Sequence, residues 1–505
     1  MPGRTDKHSR SLPACSADSE AAALRLMRGG TRPRVARLAA LTMLLTVCAL
    51  LLAVCVGCGS KLAGSAGAGD PYFPQMGNGG YDVLDYNIDL TVDPAAGPVD
   101  GTALVRAAAT QDLDSFDLDF VGLQVKSVQV DGRAARFERK GQELIISPPA
   151  RLRAGSTFDT LIAYSGTPQP LHAADGSILG WQRSGDTIFT LDEPEGAATW
   201  FPVNDTPLDK ATYTFRITVP EGYVAAANGV LAQNVANGAG QTFVWQMKEP
   251  MASYLAAVAI GKLVLKDPQD PSGVPIRNYF AEGLADAATK AFASTGDVLA
   301  YYIATFGPYP FESYGVAVPD ADTQGAMENQ TLPLFGRNVV EKDMTDPTGD
   351  ATFLSHELAH QWFGDSVTLA HWSDIWLNEG FATYCSWLWI GHSQGKAAFD
   401  KQVSDARDAV VSQKWPAPGK APANDLFNGG VYDRGALTLH AVRLTVGDDA
   451  FFRILRTWAD RYRYKNVTTA NFVSLVQEIS GKDLHALIDS WLYDSTMPAL
   501  PGGGL

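Results

Sequence analysis

The sequence predicts an α+β fold, with a strand-rich N-terminal region followed by a mixed, mainly helical one. Three observations carry that reading. In "DYNIDLTVD", Tyr86, Ile88, Leu90 and Val92 alternate with Asn87, Asp89, Thr91 and Asp93, the period of a strand with one buried face. "YTFRITVPEG" repeats the alternation with Tyr213, Phe215, Ile217 and Val219. Then "KDPQDPSGVP" (266–275) interrupts the chain with proline and glycine, and beyond it the apolar period becomes helical.

Residues 1–57 stand apart from the globule. Arg28, Arg32, Arg34 and Arg37 precede an almost unbroken apolar run, Leu38 to Val56, which is the layout of an export signal. Met27 offers an alternative start. The run ends in "CVGCGS", where Gly57 before Cys58 resembles the lipobox of bacterial lipoproteins, with Cys55 at a position where Leu is usual. The expectation is a lipoprotein-type signal peptide over 1–57 and an exported protein, lipid-anchored on the outer side of the cell membrane. An uncleaved single-pass membrane anchor is one alternative, since about 19 apolar residues can span a bilayer. Cleavage elsewhere, giving a secreted protein, is another.

"GSKLAGSAGAGD" predicts a flexible tether, drawn over 58–79. Residues 80–265 read as an N-terminal antiparallel β domain, a sandwich or saddle, with a hairpin turn at Asp131-Gly132. Residues 266–497 form the second domain, opening with a helix from Ala281 to Phe306, and 498–505 is a tail expected to fray. No internal repeat is visible.

The chain has 505 residues, 46% hydrophobic, with a formal net charge of −15. That composition is globular, and the charge argues against a nucleic-acid partner. Cys15, Cys48 and Cys55 precede Cys58, so Cys385 is the one cysteine in the body of the protein. It is expected to be a buried apolar residue, with no disulfide.

The chemistry centres on "LSHELAHQWFGD". His356 and His360 are four apart and share a helix face, and Glu357 follows the first histidine. This H-E-x-x-H pattern offers two imidazoles to one metal and a carboxylate beside the water that the metal activates. A catalytic zinc needs a third protein ligand and an open position. "SDIWLNEGFATY" supplies a candidate: Ser373 can cap a new helix, and Glu379 lies one turn in. Taken alone, Glu379 is as readily an ordinary acid at a helix N-terminus. The His2Glu set favours zinc over calcium or magnesium, which prefer all-oxygen shells. Glu328, in "GAMENQ", is a charge among apolar neighbours. Read alone it could be a structural salt bridge, a metal ligand or a hook for a cationic substrate.

Taken together, "GAMENQ", "HELAHQWFGDSV" and "WLNEGFATY", in this order and spacing, resemble the aminopeptidase N family of zinc metallopeptidases, which includes the leukotriene hydrolases. "TLDEPEGAATWFPVNDTPLDKATY", "EPMASYLAAVAIGKL" and "VYDRGALTLH" extend the resemblance over about 80–495. It implies a thermolysin-like peptidase domain behind the β domain and one zinc per chain, held by His356, His360 and Glu379. It implies Glu357 as general base and Tyr432 as the hydroxyl that steadies the tetrahedral oxyanion. Glu328 would grip the free α-ammonium of a peptide, Glu193 would supply the second anionic group there, and Gly325, Ala326 and Met327 would present backbone to the substrate. Without the resemblance, Tyr432 reads as a packing aromatic and Glu193 as a surface acid.

Two departures stand out. Relatives often have Arg where Ala198 stands, and Lys where Arg434 stands. The chain also ends soon after the peptidase region, where large relatives continue into a helical domain. A short form with a more open cleft, or one closed by a partner, is the expectation. The resulting expectation is an aminopeptidase acting on peptides with a free N-terminus. The rivals are a zinc endopeptidase of the same fold and a non-catalytic peptide-binding surface lipoprotein. His172, His371, His392, His440 and His485 belong to no ligand pattern.

Overall fold

The computed structural model describes residues 62–503, apart from 174–175, 239, 269–271 and 345–346. The signal and anchor expectations lie outside the described residues. Among those described, no helix is long and apolar enough to cross a membrane.

The alternating segments form an eight-stranded sheet. Its spatial order is Val230–Asn237, Gly240–Met251, Ala211–Pro220, Tyr81–Val92, Val99–Ala109, Thr157–Gly166, Gln124–Val130 and Arg133–Ala134. Tyr86, Ile88, Leu90 and Val92 are buried, as the alternation requires. Asp131 and Gly132 have φ of 50° and 71°, the left-handed pair that closes a tight hairpin. One expectation needs correction. Tyr81–Val92 runs parallel to Ala211–Pro220, so the sheet is mixed; more than a hundred residues separate the two strands, room for a long crossover. A second sheet orders Val224–Ala227, Val258–Gly261, Thr187–Leu191, Ile178–Ser184 and Leu171–His172. Its central strand, Thr187–Leu191, ends two residues before Glu193.

The segment 62–79 is packed rather than a free tether. Ala63 and Ala66 bridge to Ser115 and Asn78. Asp70 accepts from the N–H groups of Tyr72 at 2.8 Å and Phe73 at 3.0 Å with one oxygen, and from Trp372 N–H at 2.8 Å with the other. Small residues here serve close backbone contact, which composition alone cannot tell from flexibility.

A third sheet belongs to the second domain, in the order Leu263–Lys266, Asn278–Ala281, Ala317–Val318, Leu334–Phe335 and Ala326–Met327. Leu263–Lys266 therefore joins the second domain's sheet, a few residues ahead of the proline-glycine break. The expected helix from Ala281 is divided, with Ala281 ending a strand. The helices are α1 (Ala285–Ala291), α2 (Thr295–Phe306), α3 (Pro347–His360), α4 (Trp376–Gln394), α5 (Lys396–Gln413), α6 (Gly435–Val446), α7 (Asp448–Arg461), α8 (Thr469–Ser480) and α9 (His485–Tyr493). Helix α4 is buried from Trp376 to Ile390, including Cys385. It packs between α3 and α6. Gly380 makes this possible: a Cβ there would lie 2.8 Å from the Gly435 carbonyl carbon. The tail is not entirely frayed, because Leu500 is buried.

Candidate metal centre and peptide cleft

Helix α3 delivers His356, Glu357 and His360, and Gly364 lies in the turn that follows it. Gly364 has φ +137°, and a Cβ there would sit 2.9 Å from His360 Nδ1, so glycine serves both the turn and the imidazole. Helix α4 brings Glu379. Its N-terminus is not capped by Ser373: Ile375 occupies the cap position without a side-chain bond, and Ser373 lies in a short 3-10 turn, Trp372–Asp374.

The three ligand atoms converge. His356 Nε2 is 3.1 Å from Glu379 Oε2 and 3.1 Å from His360 Nε2, and His360 Nε2 is 3.4 Å from Glu379 Oε2. Donors about 2.0–2.1 Å from a tetrahedral zinc stand roughly 3.3 Å apart, so the set fits that ion. His360 Nδ1 donates to the Phe363 carbonyl at 3.1 Å, which leaves Nε2 as the ligating nitrogen.

Negative charge crowds this point. Oxygens of Glu193 and Glu328 lie within 4.8 Å of a Glu379 oxygen, and oxygens of Glu328 and Glu357 lie within the same distance of a His360 ring nitrogen. Burial raises the Glu357 and Glu193 carboxyls well above the ordinary range and Glu328 to about 7. At Glu379 burial acts in the same sense, but His360 and the bonds from both imidazoles outweigh it and hold the carboxyl at about 2. At His360 burial disfavours the cation, yet Glu379 and Glu328 overcome it and raise the ring to about 10. A buried cluster of this sign calls for cations.

One oxygen each of Glu193 and Glu328 is buried and finds no hydrogen-bond partner among the described residues. Both residues line a cavity of about 260 Å3 together with Gly325, Ala326, Phe353, His356, Glu357, Glu379 and Tyr432. Ala326–Met327 is the edge strand of its sheet, with one rung of backbone open to an incoming chain. A Cβ on Gly325 would meet nothing within 4 Å among the described residues, so the protein's own packing does not demand glycine there.

Tyr432 sits in a single π-helical turn, Gly430–Arg434, ahead of α6, a kind of irregularity that often marks functional sites. Its ring stacks near His356, with centroids 5.9 Å apart. Burial, then the surrounding carboxylates, keep its hydroxyl protonated well above the usual tyrosine range. Arg434 points away from the cleft. It is buried and donates to the carbonyls of Trp491 at 2.7 Å, Ser490 at 3.1 Å and Asp494 at 2.8 Å. Ala198 is buried in a 3-10 turn near Glu193 and carries no charge into the cleft.

Every residue singled out as a ligand, base, hydroxyl or hook thus lines one cavity, except Met327, which is buried in the strand behind it. Sequence reasoning missed Thr352 and Phe353, which also line the cavity. It also missed Gln361, whose partners include Glu328, Thr331 and Tyr309, thirty or more residues away.

Residues 83–255 match the peptidase M1 N-terminal domain, and residues 290–491 the peptidase family M1 domain. An M1 zinc metallopeptidase from Deinococcus radiodurans, solved as a mutant bound to a Tyr-Ser-Ala substrate, is 32% identical, with a TM-score of 0.80 over 86% of this chain and 100% of that one. Aminopeptidase M1 of Arabidopsis thaliana is 29% identical over 62% of this chain and 37% of its own length. Human glutamyl aminopeptidase is 27% identical over 73% of this chain and 41% of its own. The chain spans less than half the length of these two curated relatives.

Proposed function

The chain belongs to the M1 family of zinc metallopeptidases, and on that premise we propose that it is an aminopeptidase, removing the N-terminal residue from peptides. The observation that carries the reading is the pair of unpartnered carboxylate oxygens on Glu193 and Glu328, beside the metal triad. An α-ammonium has three donors and a positive charge, and fits between two such acids. Its nitrogen is two bonds from the first carbonyl carbon, so binding it there presents the first peptide bond to the triad. An endopeptidase would instead leave both acids facing uncharged chain, at a desolvation cost. The cavity, about 260 Å3, is below the roughly 300–1,000 Å3 of ordinary ligand pockets. That size suits one end of a peptide rather than its length.

His356, His360 and Glu379 would hold the zinc. When bound, zinc supplies a Lewis acid that acidifies water and polarises the scissile carbonyl. Glu357, on the same helix and lining the same cavity, takes the proton from the attacking water and returns it to the departing amine nitrogen. Tyr432 donates its hydroxyl proton in a hydrogen bond to the developing oxyanion. The open edge of Ala326–Met327 aligns the substrate backbone, and Glu328 and Glu193 set its register.

Two peptides that differ only in N-terminal acetylation test the reading. The free peptide should be cleaved and the acetylated one spared. Equal rates on both would defeat it in favour of an endopeptidase.

Residues 1–57 support export with lipid attachment at Cys58. The Cys58→Ala variant should incorporate no labelled fatty acid in cells; retained labelling would count against lipid attachment.

A further inference from the structure

Gln361 follows the ligand His360 and is fully buried. Its amide has two donor and two acceptor positions, and all four are used. Oε1 accepts from the Thr331 N–H at 2.9 Å and lies 3.1 Å from the Tyr309 hydroxyl, whose one proton it shares with the Ser313 carbonyl at 3.0 Å. Nε2 donates to the Glu328 carbonyl at 3.1 Å and to Asp365 Oδ2 at 2.8 Å. The orientation is unambiguous, because a flipped amide would set N–H against N–H and oxygen against oxygen.

Two of the four bonds go to the main chain of 328–331, so Gln361 brackets that turn. Within the turn one backbone bond closes it, from the Leu332 N–H to the Asn329 carbonyl at 2.8 Å. Thr331 has φ +69°, a conformation that a β-branched side chain resists. From outside, Gln361 accepts from its N–H, the Gly229 N–H donates to Thr331 Oγ1 at 2.8 Å, and Asn228 Nδ2 donates to the neighbouring Gln330 carbonyl at 2.7 Å; of these side chains, Gln361 alone also reaches the Glu328 carbonyl. Backbone in such a conformation persists where its surroundings over-determine it. Meanwhile Glu328 Oε1 has no partner among the described residues. Its carboxylate is therefore placed through its own backbone, which is fixed by the Met327–Leu334 pairing on one side and by Gln361 on the other.

We propose that Gln361 is the positioning residue that fixes the span between the metal triad and the Glu328 carboxylate, and so decides where along a peptide the cut falls. One side chain, a single residue past a metal ligand, grips the backbone of the ammonium hook. The inference rests on the aminopeptidase reading above.

Gln361→Met keeps the approximate length and removes all four bonds. Placed in a Glu357→Gln background, it permits binding to be measured without turnover. Calorimetry should show the free tripeptide binding about tenfold more weakly, with the acetylated analogue unaffected and zinc still at one per chain. In the otherwise unaltered enzyme, KM for the free peptide should rise and the free-to-acetylated ratio of kcat/KM should fall about tenfold. A folded, zinc-loaded Gln361→Met protein with an unchanged ratio overturns the assignment. Should that variant fail to fold, Tyr309→Phe removes the hydroxyl proton that Gln361 Oε1 shares with the Ser313 carbonyl. A fall of about two- to fivefold in the same ratio is expected, and no change overturns the proposal. An unaltered enzyme that shows no preference for the free amine defeats the aminopeptidase reading itself, which separates the two failures.

Discussion

Lys210 Nζ donates to the carbonyl oxygen of Asp365 at 2.8 Å and, at 3.1 Å, to that of Ser366. A side chain just ahead of a strand of the first domain thus reaches the loop that follows helix α3, where it donates to two main-chain carbonyls.

Burial lowers the Lys210 ammonium to about 7, with Asp365 acting in the opposite sense. The folded value lies below the unfolded one near 10.5, so the unfolded chain binds the extra proton between them. Stability from this group is complete above about 10.5 and is lost as pH falls toward 7. Lys210→Met should flatten that slope in denaturant titrations at pH 7.5 and 9.5, and should lower stability by roughly 1–3 kcal/mol as two carbonyls lose their donor. An unaltered slope would remove Lys210 from the account.

His440 gives a second, acid-side dependence. Its Nδ1 faces the Tyr384 hydroxyl at 3.2 Å, and Arg443, Asp400, Lys396 and Asp448 surround it. Burial and then Arg443 depress the imidazole to about 4. The stability it contributes is full above about 6.5 and is lost as pH falls through 4. His440→Gln should unfold less steeply between pH 6.5 and 4, by up to roughly 3 kcal/mol. The same steepness in both proteins would refute the assignment.

Glu357→Gln keeps the volume and removes the base. The expected loss in kcat is about 10²–10⁴-fold with zinc content unchanged. Tyr432→Phe should lower kcat about 10²–10³-fold with little change in KM. Stopped assays on a free aminoacyl amide, paired with metal analysis, check both. A Tyr432→Phe enzyme affected only in KM would make the hydroxyl a binding group instead.

Chelation should abolish cleavage and lower the unfolding temperature, since the metal binds the folded state alone and offsets a crowd of buried carboxylates. Zinc should restore both, and calcium neither. Replacing His356, His360 or Glu379 by Ala should lower the bound zinc below one per chain. Activity that survives full metal removal would refute the proposed chemistry.

What could be read from the sequence was what is local. The four-residue spacing of His356 and His360 is a property of one helix, and the burial of Tyr86 to Val92 follows from a period of two. Glu379, Tyr432, Glu193 and Glu328 come from distant segments, and only the family resemblance linked them before the cavity did. Pairings between remote segments stayed out of reach. These include the parallel alignment of Tyr81–Val92 with Ala211–Pro220, the passage of Leu263–Lys266 into the third sheet, and the contacts of Gln361 with Tyr309, Glu328 and Thr331. Asp70 shows the limit most simply, because nothing in a run of glycine and alanine announces a contact with Trp372.

Arg434 carries a consequence for the far end of the chain. It stands two residues after Tyr432, and its guanidinium is satisfied by the closing carbonyls of α9. Helix α9 is therefore a strut under the hydroxyl proposed to steady the oxyanion. A cut that released α9 would leave a buried cation with nothing to donate to, and the turn would shift to bring it to water. The hydroxyl would move with it, so turnover is coupled to a segment that never meets the substrate.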